Sequence, residues 1–156
     1  MSRHGWKRML VVSTGVLLAA CGGGGGNGGS GPRTGLPVDV SLTEYSVSLG
    51  RSSVPAGSTV FDVSNRGPDK EHEFVLVKTD LAPDKLPTKP DGTVDEMGQG
   101  IEILGEIEPF APGETKDKSF ELVAGKYVMF CNILDTSSTP AKAHYQLGMR
   151  TGFSVS

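Results

Sequence analysis

From Val38 onward, turns bearing glycine or proline cut the chain into short stretches in which apolar and polar residues alternate. A period of two is the period of a half-buried strand, and no stretch holds a helical period for long. Val38, Val40 and Leu42 make the first row. Tyr45, Val47 and Leu49 make a second on the opposite parity, so a bulge or bend is expected near Thr43 and Glu44. Pro55-Ala56-Gly57 turns the chain into 58–64 (STVFDVS), which Asn65-Arg66-Gly67-Pro68 closes. Residues 72–78 (HEFVLVK), 101–107, 115–122, 126–133 and 148–155 read as further strands, with turns at 109–113 and at Ala124-Gly125. Residues 80–100 hold Pro83, Pro87, Pro90, Gly92, Gly98 and Gly100, which suits a surface excursion with a short helical turn near Asp95. The expected fold is all-β: two packed sheets of about seven to eight strands. No internal repeat, phosphate-cradling glycine loop or GxSxG elbow is present in the sequence.

The N-terminus reads differently. Arg3, Lys7 and Arg8 precede an apolar stretch from Met9 to Leu18, too short to span a bilayer, so residues 1–20 read as an export signal. Leu18-Ala19-Ala20-Cys21 resembles the lipobox of bacterial lipoproteins. That resemblance implies that Cys21 carries lipid and becomes the new N-terminus; the plainer alternative is an ordinary cleaved signal with a chance cysteine. Gly22 to Gly31, broken only by Asn27 and Ser30, cannot build a core. Residues 21–36 are expected to form a flexible tether reaching about 20 Å, which leaves 37–156 as one domain. The expected location is extracytoplasmic, with the lipid anchor in a bacterial membrane, and no later segment is apolar enough to cross one. Once the three basic leader residues are removed, twelve basic residues face eighteen acidic ones, which argues against nucleic acid as a partner.

The chain has two cysteines. With Cys21 lipidated, Cys131 has no disulfide partner within the chain, and a free thiol in an oxidising compartment needs a reason. It can be buried as a small apolar residue, paired with another chain, or bound to a metal. Of the three histidines, His4 leaves with the signal, so His72 and His144 remain. By strand parity His72 shares a face with Phe74 and Leu76, Cys131 with Tyr127 and Met129, and Met149 with Phe153 and Val155. Each sits at the end of an otherwise apolar row. Glu71 and Glu73 are expected on the solvated side. Two imidazoles, one thiolate and a weak thioether make up the donor set of a blue-copper electron-transfer centre. Soft sulfur favours Cu(I), imidazole also suits Cu(II), and the set is a compromise between the two states. A Cys131–His144 nucleophilic pair would leave Met149 without a role, and the spacing of Asp91, Asp95 and Glu96 does not fit a calcium loop.

The order Asn65-x-Gly67, His72, Tyr127-x₃-Cys131, His144-x₄-Met149 resembles the cupredoxins over nearly the whole domain. Gly125-Lys126-Tyr127-Val128-Met129-Phe130-Cys131-Asn132 and His144-Tyr145-Gln146-Leu147-Gly148-Met149-Arg150-Thr151 are similar to segments of small bacterial lipoproteins of the plastocyanin/azurin-like group. The resemblance implies a Greek-key sandwich with one mononuclear type 1 copper. His72, Cys131 and His144 would be its ligands, Met149 its weak axial ligand, and Asn65 a brace for the ligand loop. It also implies a one-electron carrier rather than an enzyme, serving redox partners of a respiratory chain. Copper storage or delivery to a copper-accepting protein is the alternative, and a metal-free interaction module a third. One departure is clear: twelve residues, 132–143, separate Cys131 from His144, where plastocyanin- and azurin-like chains have only a few. The longer loop is expected to alter the exposure of the site and to cover the face through which a partner would meet His144.

Overall fold

The computed structural model describes residues 34–137 and 139–156. The expected signal at 1–20, Cys21 and the glycine run lie outside the described residues. Eleven strands follow in chain order: β1 (Leu36–Thr43), β2 (Ser46–Leu49), β3 (Ser53–Val54), β4 (Gly57–Asn65), β5 (His72–Lys78), β6 (Glu102–Phe110), β7 (Thr115–Leu122), β8 (Gly125–Phe130), β9 (Leu134–Asp135), β10 (Lys142–Ala143) and β11 (Arg150–Val155). They form one sheet in the order β2-β1-β4-β7, a second in the order β3-β11-β8-β5-β6, and a small β9–β10 ladder. The fold is therefore the expected all-β sandwich. The described residues contain no helix, so the helical turn expected near Asp95 is absent. A Gly98 N–H to Asp95 C=O bond of 2.7 Å closes a tight turn there instead.

The alternating rows become the core. Val38, Val40 and Leu42 on β1 are buried, with their polar neighbours facing outward. β1 and β2 pair as an antiparallel hairpin, so the expected bend near Thr43-Glu44 is the hairpin's turn. β1 and β4 pair in parallel, Val38 beside Phe61 and Leu42 beside Asn65. A parallel pair requires a crossover, and the chain makes it by sending β3 to the opposite sheet beside β11. Between the sheets pack Phe61, Phe74, Leu76, Tyr127, Met129, Phe153 and their neighbours.

Four sequence expectations shift. β6 runs on through Pro109 to Phe110, and the turn falls at 111–114. β8 stops at Phe130 and β11 starts at Arg150, because the chain between them leaves the ladder to form the site. The segment 80–100 is not only a surface excursion. Leu86 and Val94 pack with Ile101 on the outer face of β5 and β8, over Val75, Val77, Val128 and Phe130. HEFVLVK is apolar on both parities because β5 is covered on both faces.

Candidate metal centre

The site forms where three segments leave the sheets at one end of the sandwich. His72 opens β5, Cys131 follows the last residue of β8, and His144 follows β10. All three are buried, and their ligating atoms lie within 4.8 Å of one another. His144 Nδ1 lies 3.3 Å from His72 Nδ1 and 3.3 Å from Cys131 Sγ. Bonds of about 2.0–2.3 Å to one ion put neighbouring donors roughly 3.3–4 Å apart, the separation His144 Nδ1 keeps from each of the other two donors. The spacing and the N₂S donor set therefore fit one ion, and the softness of that set fits copper. Met149 is wholly buried in the same cluster as Cys131. Its C=O accepts from the Cys131 N–H at 3.1 Å and its N–H donates to the His144 C=O at 3.0 Å. Gly148, at φ 112°, provides the left-handed step that brings the backbone there.

The environment sets the protonation of the donors. Burial pushes the Cys131 thiol up to about 12, although the Glu73 backbone N–H, 3.4 Å from Sγ, opposes it. Burial lowers His72 to about 4, helped by the positive charge His144 would carry and opposed by Glu44. Burial lowers His144 as well. Near neutral pH both imidazoles are thus neutral, as metal ligation requires, and the thiol holds a proton that an incoming ion must displace.

Asn65 is 1% exposed at the end of β4. Its Nδ2 donates to the carbonyls of Lys70 and Phe110, both at 2.9 Å, and its Oδ1 accepts from the Gly67 N–H at 3.0 Å. It thereby ties the 65–70 turn that delivers His72 to the end of β6. Asn65→Ala is expected to strand these groups and destabilise the protein by about 1–3 kcal/mol. Urea unfolding of the metal-free protein would measure this, and an unchanged midpoint would deny the brace.

Two supports were not legible in the sequence. Glu73, expected in solvent, accepts from the Asn132 N–H at 2.6 Å, and burial first, with nearby glutamates, raises its carboxyl to about 7. The segment 80–100 clamps the residues beside two donors. Asn132 bonds both backbone groups of Val94 and the Glu96 carboxylate, while the Tyr145 hydroxyl donates to the Pro83 C=O and accepts from the Leu86 N–H. Its side-chain amide and hydroxyl partners are far away in sequence, so no local pattern marks them.

The long loop folds back through the β9–β10 ladder. Asp135 anchors it, accepting from the Tyr45 hydroxyl at 3.0 Å and pairing with Lys70 at 3.1 Å. The Tyr45 and His144 rings pack in a T-shaped pair, with centroids 4.9 Å apart. His144 is only 1% exposed, at the floor of a cleft of ≈ 400 Å³ lined by Lys70, Pro109, Ile133 and Asp135.

A two-sheet sandwich gathering two histidines and a cysteine at one end has the cupredoxin fold. Among solved structures, the dithionite-reduced auracyanin of the photosynthetic bacterium Roseiflexus castenholzii is similar at 20% identity and a TM-score of 0.51, covering 81% of this chain and 99% of that one. Auracyanin B is similar at 17% identity and a TM-score of 0.53, covering 81% and 93%. An azurin from the methylotroph Methylomonas sp. strain J is similar at 15% and 0.51, covering 78% and 98%. No protein-family model and no curated protein matches the chain.

Proposed function

We propose that the chain is a blue-copper electron carrier. One copper ion would be held by the thiolate of Cys131 and the imidazoles of His72 and His144, with Met149 as weak axial donor. The observation that carries this reading is the convergence of the two histidines and Cys131, from distant parts of the sequence, on one buried point. Copper bound there supplies one-electron exchange between its cupric and cuprous states. The protein's part is to hold the donors so that neither state requires rearrangement, to exclude water, and to leave no open position for a substrate. Carrying electrons is favoured over delivering copper because all three donors are buried and the loop between Cys131 and His144 is pinned by Asp135. Lipidation at Cys21 and the glycine-rich tether would keep the domain beside membrane-bound redox partners outside the cytoplasm.

Titrating Cu(II) into the purified protein tests this reading. One equivalent is expected to produce an intense visible thiolate-to-copper band, and a colourless, non-binding protein would end the proposal. The proton on Cys131 adds a signed prediction. The free protein holds that proton at any pH below about 12 and the bound protein does not, so raising the pH favours binding. Apparent affinity should increase about tenfold per pH unit between roughly pH 7 and 9, where the imidazoles are already neutral. Calorimetry in buffers of different ionisation enthalpy should count one proton released per ion. A count of zero would mean that the thiol is not the donor.

A further inference from the structure

Four buried side-chain nitrogen or oxygen atoms among the described residues have no hydrogen-bond partner, and two of them belong to neighbouring groups: Nε2 of His72 and Oε2 of Glu44. The other carboxylate oxygen of Glu44 lies 3.7 Å from the same Nε2. This is too long for a hydrogen bond and close enough for strong electrostatic attraction.

Glu44 is built into its place. Its Oε1 accepts from the backbone N–H of Lys70 at 2.8 Å and of Asp69 at 3.3 Å. Its carboxylate rests on Gly67, where a Cβ would come within 2.6 Å of Oε1 and 2.7 Å of Oε2. The carboxylate of Glu44, held by two backbone N–H groups, therefore faces the Nε2 side of the His72 ring from the β1–β2 hairpin turn on the opposite sheet.

We propose that Glu44 is the positioning residue for His72: its carboxylate fixes the ring proton on Nε2, aims Nδ1 at the metal, and biases the bound copper toward the cupric state. The inference rests on the copper reading for its last part only. An imidazole that binds a metal through Nδ1 keeps its proton on Nε2, and a negative charge facing that N–H polarises it and makes the ring a stronger donor. A stronger donor and a nearby negative charge both favour the more highly charged ion. Asn65, by contrast, holds the backbone of the turn and does not touch the ring.

Two readouts test the proposal. In the metal-free protein, long-range ¹H–¹⁵N correlation spectra should show the His72 proton on Nε2 in the wild type and a mixture of tautomers in Glu44→Ala. An unchanged tautomer in Glu44→Ala overturns the proposal, and this result does not depend on any copper being bound. In the copper-loaded protein, Glu44→Gln removes the charge while keeping the shape. It should weaken Cu(II) relative to Cu(I) about tenfold, within the range that loss of an outer partner costs a metal site. That corresponds to a reduction potential about 59 mV higher for one electron. A potential within a twofold equivalent of wild type, in a folded Glu44→Gln protein that still binds copper, also overturns it. If the wild type binds no copper, the copper reading fails, while the tautomer comparison still decides whether Glu44 positions His72.

Discussion

Replacing Cys131 with serine is expected to abolish the intense visible band and to weaken copper binding by far more than the 10–100-fold that loss of an outer partner costs. The reason is the donor, not its volume. A serine hydroxyl fits where the thiol fits, but it is a hard donor, ionises far less readily than a thiol, and gives Cu(I) no soft ligand. The fold should tolerate the change, because the Glu73 N–H that faces Sγ at 3.4 Å can donate to a hydroxyl instead. Met149→Leu makes the informative contrast. It conserves volume in a wholly buried position and swaps hydrophobic residues of similar size, which usually costs less than about 1.5 kcal/mol. It should shift the band and potential while leaving copper bound. A Cu(II) titration followed in the visible region and by unfolding curves separates the two roles. A coloured, copper-binding Cys131→Ser protein would refute the thiolate assignment, and loss of all binding in Met149→Leu would refute the axial one.

What the sequence carried and what it hid follow from the range of the interactions. Strand parity is local, and it placed His72 with Phe74, Cys131 with Met129 and Met149 with Phe153 in one cluster or beside it. Scarcity carried the rest: beyond residue 36 the chain has one cysteine and two histidines, and their order alone pointed to a single site. The supporting groups are common residue types, and their roles arise only from contacts distant in sequence. Glu44 reaches His72 across 28 positions of chain, and Asn132 reaches Val94 across 38. Glu73 looked like a solvated residue because alternation assigns it to the outer face of β5. That face is covered by the segment 80–100, whose prolines and glycines read as a loop but whose Leu86 and Val94 are core residues. The apolar residues on both parities of HEFVLVK were the available sign that β5 has no free face.

Phe61→Ala is expected to cost about 3–5 kcal/mol, a fifth or more of the net stability of a domain worth about 5–15 kcal/mol. Phe61 is wholly buried on β4, and its ring meets aromatic rings on three other strands: Phe74 at 5.4 Å, Phe120 at 5.9 Å and Phe153 at 5.6 Å between centroids. β4 and β7 belong to one sheet and β5 and β11 to the other. This cluster therefore joins the two layers, and the strands it joins include β5, which His72 opens, and β11, which follows Met149 directly. Truncation removes the ring's buried area and leaves a cavity that rigid strands on both sides cannot close. Urea unfolding should show the loss as a lower midpoint with an unchanged slope. Copper makes the result more discriminating. An ion bound only by the folded chain stabilises it by about 4.1 kcal/mol at a free concentration one thousand times its dissociation constant. Loading should therefore restore much of the lost stability, and the refolded variant should show the wild-type visible band because no donor has moved. A loss below about 1 kcal/mol would place the mechanical join between the sheets elsewhere, and a loaded variant with an altered band would show that the aromatic cluster also sets the ligand geometry.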